Sequence, residues 1–260
     1  MLTRPSRTIT LLCVVAGSFS LAGCGLKFGH RHFAGPILPV SAQENESFTV
    51  GDDRSITFVL DRLEISLRSV TAEMLNRQFA RNSEVDDGSA YRNPTQMQTN
   101  PFTFGDWVPP EAERAPTRFT VFFLNVKNYA FPKVRVDPEK VVLTAANGRR
   151  YPALSLHALL EYYWPYAVAY AGNTYKSYEE RRDLLRKSMF RNENIFSGQE
   201  YGSYVVFPAL DYDVEDFEVM VHDAILRFDY RNEPTETVNI PYQFSREVYQ
   251  AKAPRTEEYY

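Results

Sequence analysis

The sequence predicts a mainly β protein, an antiparallel β-sandwich broken by one helical, aromatic-rich insert. Three observations carry this. About seven or eight short segments alternate apolar and polar residues with period two, separated by turn residues. No strand–helix–strand alternation runs along the chain, which argues against a parallel α/β sheet. The β pattern is interrupted over 153–197, where a strongly apolar and aromatic stretch is followed by an amphipathic one.

The elements follow in order. Leu63, Ile65 and Leu67 alternate with Arg62, Glu64, Ser66 and Arg68, the pattern of a half-buried strand. Ala72 to Ala80 reads as a short helix. Residues 82–116, rich in Asn, Gln, Pro, Asp and Thr, read as a long polar loop that Trp107 and Pro109-Pro110 dock back onto the fold. Phe122, Leu124 and Val126 then line one face of a strand while Phe119, Val121 and Phe123 line the other, so this strand should be central and covered on both sides. Val141 to Ala145 and Arg149 to Tyr151 flank Asn147-Gly148, predicting a hairpin with a primed two-residue turn.

In the insert, Pro165 should start or kink a helix rather than sit within one. A second helix is expected over 174–190, opened by the capping-box spacing of Ser177 and Glu180. Tyr204 to Phe207 makes the next strand. Phe217, Val219 and Val221 alternate in another, and Leu226, Phe228 and Tyr230 lead to a turn at 231–234. Val238, Ile240, Tyr242 and Phe244 form the last strand, which Pro241 assigns to a sheet edge because it cannot donate to a ladder.

Composition narrows the function classes. The 260 residues are 44% hydrophobic, 24% charged and 14% aromatic, enough apolar material for a folded core. Lys and Arg number 29 against 33 Asp and Glu, so no basic excess points to a nucleic-acid partner. Two cysteines, Cys13 and Cys24, cannot make a disulfide framework.

Residues 1–23 read as an export signal: Arg4 and Arg7 supply the positive start, Ile9 to Val15 the short apolar core, and small residues the approach to a cleavage point. Leu21-Ala22-Gly23-Cys24 resembles the lipobox of bacterial lipoproteins. The resemblance implies that Cys24 becomes the first mature residue and carries the lipid, leaving no free thiol. Gly25 in place of Asp implies an outer-membrane address with a membrane contact through the acyl anchor. Residues 24–46 then read as a lipidated tether, in which His30 and His32 make a poor metal site.

A second resemblance covers 117–152 and 198–245. The run from Phe119 to Asn128, followed by Val134 to Leu143 and Asn147 to Pro152, is similar to the immunoglobulin-like (telokin-like) domains of secreted bacterial lipoproteins, and Gly198 to Phe207 fits the same pattern. It implies an immunoglobulin-like sandwich over 47–250, with a C-terminal tail at 251–260, and carries no catalytic residues.

No nucleophile elbow, phosphate-binding loop, dinucleotide fingerprint or zinc-protease helix occurs. His157 and His222 lack a second ligand nearby, and Asp211, Asp213, Glu215 and Asp216 read as a solvated turn. The expectation is no enzyme, no cofactor, no metal and no catalytic residue. Tyr162, Tyr163, Trp164, Tyr166, Tyr170, Tyr175 and Tyr178 are the candidate partner-binding residues. Three readings stay open for them: core under the sheet, a surface for an envelope protein partner, or a glycan platform on a wall-binding module with weak hydrolase activity.

Overall fold

The computed structural model describes residues 30–43, 47–79, 100–103, 118–169 and 175–252. Residues 1–23, where an export signal is expected, Cys24, most of the segment 82–116 and the end of the C-terminal tail lie outside the described residues. The chain divides into two units, one of which spans Ala34–Val248. The other contains a two-stranded sheet of β1 (His30–Ala34) and β14 (Val248–Lys252).

The larger unit carries β2 (Leu38–Pro39), β3 (Phe48–Val50), β4 (Ser55–Leu60), β5 (Leu63–Val70), α1 (Ala72–Phe79), β6 (Phe119–Asn128), β7 (Lys133–Arg135), β8 (Val141–Ala145) and β9 (Arg150–Pro152). It continues with α2 (Leu156–Ala169), α3 (Tyr175–Ser188), β10 (Asn194–Phe196), β11 (Gln199–Pro208), β12 (Asp216–Phe228) and β13 (Pro234–Ser245). One sheet runs in the order β11-β6-β5-β4-β3; in the other, β12 lies between β13 and the consecutive strands β7 and β8. The ladders within both sheets are antiparallel. In neighbour pattern, β5-β6-β11 and β8-β12-β13 match the A-B-E and C-F-G strands of an immunoglobulin-type sandwich. The helical insert α2–α3 falls between β9 and β10, where such a sandwich carries its D strand.

Alternation explains the core. In β5, Leu63, Ile65 and Leu67 are fully buried while Glu64 faces out. They meet Phe122, Leu124 and Val126 on β6 and, across the sandwich, Val219, Val221, Tyr242 and Phe244. Each such side chain contributes on the order of 1.5–3 kcal/mol by leaving water. Tyr242 is wholly buried and its hydroxyl donates to the Ile65 carbonyl (2.7 Å), tying the two sheets together. The opposite face of β6 is also covered, as expected. Val121 is buried with Val206, Leu75, Phe102, Leu159, Tyr163 and Leu185, and Phe119 and Phe123 pack at the margin.

Five local expectations need correction. Residues 34–43 are not free tether: Ile37 packs on the core, β2 pairs with Phe244 and Ser245, and Gln43 is buried against β13. The open backbone of β13 recruits this segment. That same arrangement amends the Pro241 argument, since β13 is the penultimate strand. β2 reaches only two of its residues, and at Pro241 the carbonyl is served by the Gln43 side chain instead. Pro165 sits inside α2, where it and Glu161, whose carbonyl loses its helical donor, are both exposed to water. Ser177 lies within α3, which starts at Tyr175, so it does not cap that helix.

The β8–β9 loop is longer than two residues. Gly148 N–H donates to Ala145 (2.8 Å) and Ala145 N–H to Arg149 (2.8 Å), so Ala146, Asn147 and Gly148 form the loop. Gly148 alone of these takes positive φ (+85°), which gives an ordinary turn closed by a glycine bulge rather than a primed turn. A second bulge lies in β12, where His222 and Asp223 together face Asn239. It moves the buried positions from 217, 219 and 221 to 224 and 226, joining two stretches of opposite phase into one strand.

Candidate functional site

Leu159 and Tyr163, one helical turn apart on α2, face the sheet and are buried. The Tyr163 hydroxyl donates to the Pro101 carbonyl (2.8 Å), and the Arg181 guanidinium of α3 lies 4.8 Å over its ring. Burial pushes the Tyr163 phenol above the ordinary tyrosine range, against the opposing pull of Arg181. Arg181 also donates to the carbonyl of Thr103. Residues 100–103 are therefore clamped beneath the insert. Asn100 accepts from Phe102 N–H (3.0 Å) and donates to Asn76 on α1 (2.9 Å), and the Phe102 ring is buried edge-on to Tyr204 (5.6 Å). This is where the polar loop docks; Trp107 and Pro109-Pro110 lie outside the described residues.

The candidate aromatics thus separate. Tyr163 belongs to the core and presents no surface, which removes it from the binding set. Trp164 and Tyr162, its chain neighbours, are 49% and 44% exposed because successive helical positions turn by about 100°. Trp164 rests edge-on against half-buried Tyr178 on α3 (5.6 Å), and Tyr162 against Phe119 (5.1 Å). The side chains of Tyr166, Tyr170 and Tyr175 lie outside the described residues.

A cleft of about 560 Å³ opens where the insert leaves and rejoins the sandwich. Leu154, Met189, Phe190 and Val205 line it, with Asp137, Glu139, Arg186 and Arg191 among its polar residues. Neither Tyr162, Trp164 nor Tyr178 lines it, so the exposed aromatics do not wall a groove there.

The acidic turn is organised rather than merely solvated. Arg149 bridges Asp211 (2.6 Å) and Asp213, Tyr151 donates to Asp211 (2.8 Å), and Arg246 donates to the Val214 carbonyl (2.7 Å). The Tyr151 hydrogen bond and the Arg149 charge hold the Asp211 carboxyl below the usual range. Asp211 and Asp213 already have a cationic partner in Arg149, and among the described residues no group of three His, Cys, Asp or Glu side chains gathers in metal-binding array. His157 sits on the exposed side of α2 beside Glu161 (3.2 Å). His222 lies at the β12 bulge, where the Asp223 carboxylate pairs with Lys140 (3.0 Å).

Sequence reasoning missed the Arg149 bridge and the Arg181 clamp. Each cation is far in sequence from its partner, and no spacing rule connects them. Comparison with known protein families, curated proteins and solved structures finds no match to the chain.

Proposed function

We propose that this chain is a lipid-anchored outer-membrane protein whose sandwich is a non-catalytic docking module, engaging an envelope protein through the outer side of α2. The observation that carries the reading is Trp164, a large aromatic left half exposed on a helix whose opposite side is fixed in the core. Trp and Tyr on a rigid support lose little entropy on binding and supply much contact area, the profile of interface anchors. The lipobox at 21–24 supports acylation of Cys24. Acyl chains would confine the module to one membrane and raise its effective concentration for a partner.

The test is cross-linking in intact cells with three chains: wild type, Cys24→Ala, and Tyr162→Ala with Trp164→Ala. Cys24→Ala should abolish fatty-acid labelling, and labelling that persists refutes the anchor. The double variant should fold and lose a stoichiometric protein partner. A partner retained by that variant refutes docking through α2, and recovery of polysaccharide in place of protein moves the assignment to glycan binding.

A further inference from the structure

The cleft at the root of the insert, about 560 Å³, falls within the roughly 300–1,000 Å³ of small-molecule sites. β11 is the edge strand of its sheet, and both connections of the insert attach to it. Leu154 N–H donates to the Val206 carbonyl and Phe190 N–H to the Tyr204 carbonyl (both 2.7 Å). Main-chain bonds of this kind fix the shape of the cleft before anything binds. Its floor joins two cores. Phe190 and Val205 belong to the cluster between the sheets, Met189 and Tyr204 to the cluster beneath the insert, and all four are buried.

The polar lining carries both signs of charge, on separate elements. Asp137 and Glu139 stand at the 3₁₀ turn Pro138–Lys140 ahead of β8, whereas Arg186 lies in the last turn of α3 and Arg191 just beyond it. No ion pair within 4 Å joins the two sets. Among the described residues neither carboxylate has a cationic partner: Asp137 accepts Glu139 N–H (3.0 Å), and the neighbouring Lys140 is taken by Asp223 (3.0 Å). Arg186 lies 4.0 Å from Asp183 and Arg191 3.6 Å from Glu193, both longer than a hydrogen bond, so each guanidinium keeps donors to give. Arg191 is held in place by donating to the Arg186 carbonyl (2.7 Å). Ser155 and Asn192 also line the cleft; the Ser155 hydroxyl accepts from Ala158 N–H (3.2 Å) and keeps its own proton to donate.

From this we infer that the cleft binds a short peptide in its zwitterionic form. The terminal ammonium pairs with Asp137 and Glu139, the carboxylate with Arg186 and Arg191, and an apolar side chain rests on Met189 and Phe190. Ser155 and Asn192 meet the peptide groups between. A fatty acid would suit the arginines and the floor but would set its carboxylate in a cleft that also holds two uncompensated carboxylates. An organic cation would leave the arginines unanswered. Neither Trp164 nor the acyl anchor enters this site, so it stands apart from docking through α2.

The test titrates the full chain in neutral detergent micelles with alanyl-leucyl-alanine, its N-acetyl form and its C-terminal amide, with protein-free micelles as the blank. The free tripeptide should bind saturably and shift the Met189 methyl resonance, and each capped form should bind about tenfold more weakly. In Glu139→Gln the penalty for acetylation should shrink, and in Arg186→Gln the penalty for amidation, each leaving the other penalty intact. Both side chains are exposed, so folding should be unchanged. Absence of saturable binding, equal binding of the capped forms, or penalties that ignore both substitutions overturns the inference. Laurate bound more tightly than the tripeptide, with the same Met189 shift, also overturns it and assigns the cleft to fatty acids. None of these outcomes bears on the α2 proposal.

Discussion

Asn128 ends β6 as a fully buried amide. Its nitrogen donates to the carbonyls of Phe131 (2.8 Å) and Ile195 (3.0 Å), and its oxygen accepts from Phe131 N–H (2.9 Å). One side chain thus holds the β6–β7 turn and ties it to β10. Asn128→Ala would leave those groups without their partner in the interior. It should cost about 2–4 kcal/mol, read as a lower urea midpoint at unchanged slope. Its presence at the end of an alternating run was legible in the sequence. Its burial was not, because Asn at a strand end is equally at home capping a solvated turn. The same holds for Arg149 and Arg181, whose partners are fixed only once distant segments meet.

At the scale of elements, the insert shows how one helix serves two environments. Tyr163→Ala would remove a buried ring, a hydrogen bond to Pro101 and the seat of Arg181, and should destabilise the fold by about 3–5 kcal/mol. Trp164→Ala, one position along, should cost about 1 kcal/mol or less, because Trp164 is half exposed and meets Tyr178 edge-on. Chemical denaturation of the two variants side by side checks this, and equal losses would refute the division of the helix into a core side and a surface side. The aromatic richness of 153–197 was visible from composition. Which rings face in was not, because a helix apolar around much of its circumference has no clear phase. The turns divided similarly: the Asn147-Gly148 hairpin was predictable, but its three-residue loop depended on the register with which β8 and β9 pair.

For the whole molecule, the two sheets are linked through Tyr242, and burial holds its phenol well above the ordinary value of 10.0. Tyr163 and Tyr204 are shifted in the same direction, chiefly by burial. The sign follows from linkage. The unfolded chain releases these protons first, so the stabilisation is complete below about pH 10 and is lost as pH rises beyond it. Stability measured by urea melts should be level from neutral pH to about pH 9 and fall steeply above pH 10. In Tyr242→Phe the alkaline fall should be shallower, and an identical fall would refute the assignment to buried tyrosines.

By itself the sequence determined the class of fold, most of the strands, the two-sided burial of β6 and the place of the helical insert. Those follow from periodicity, and periodicity is a local property that neighbouring residues carry among themselves. The tertiary structure decided the rest. It drew residues 34–43 onto β13, clamped 100–103 under the insert, and placed Tyr163 inside and Trp164 outside. Each depends on contacts between residues tens to hundreds of positions apart, and an edge left open, a cation or a ring finds its partner only when the sheets close.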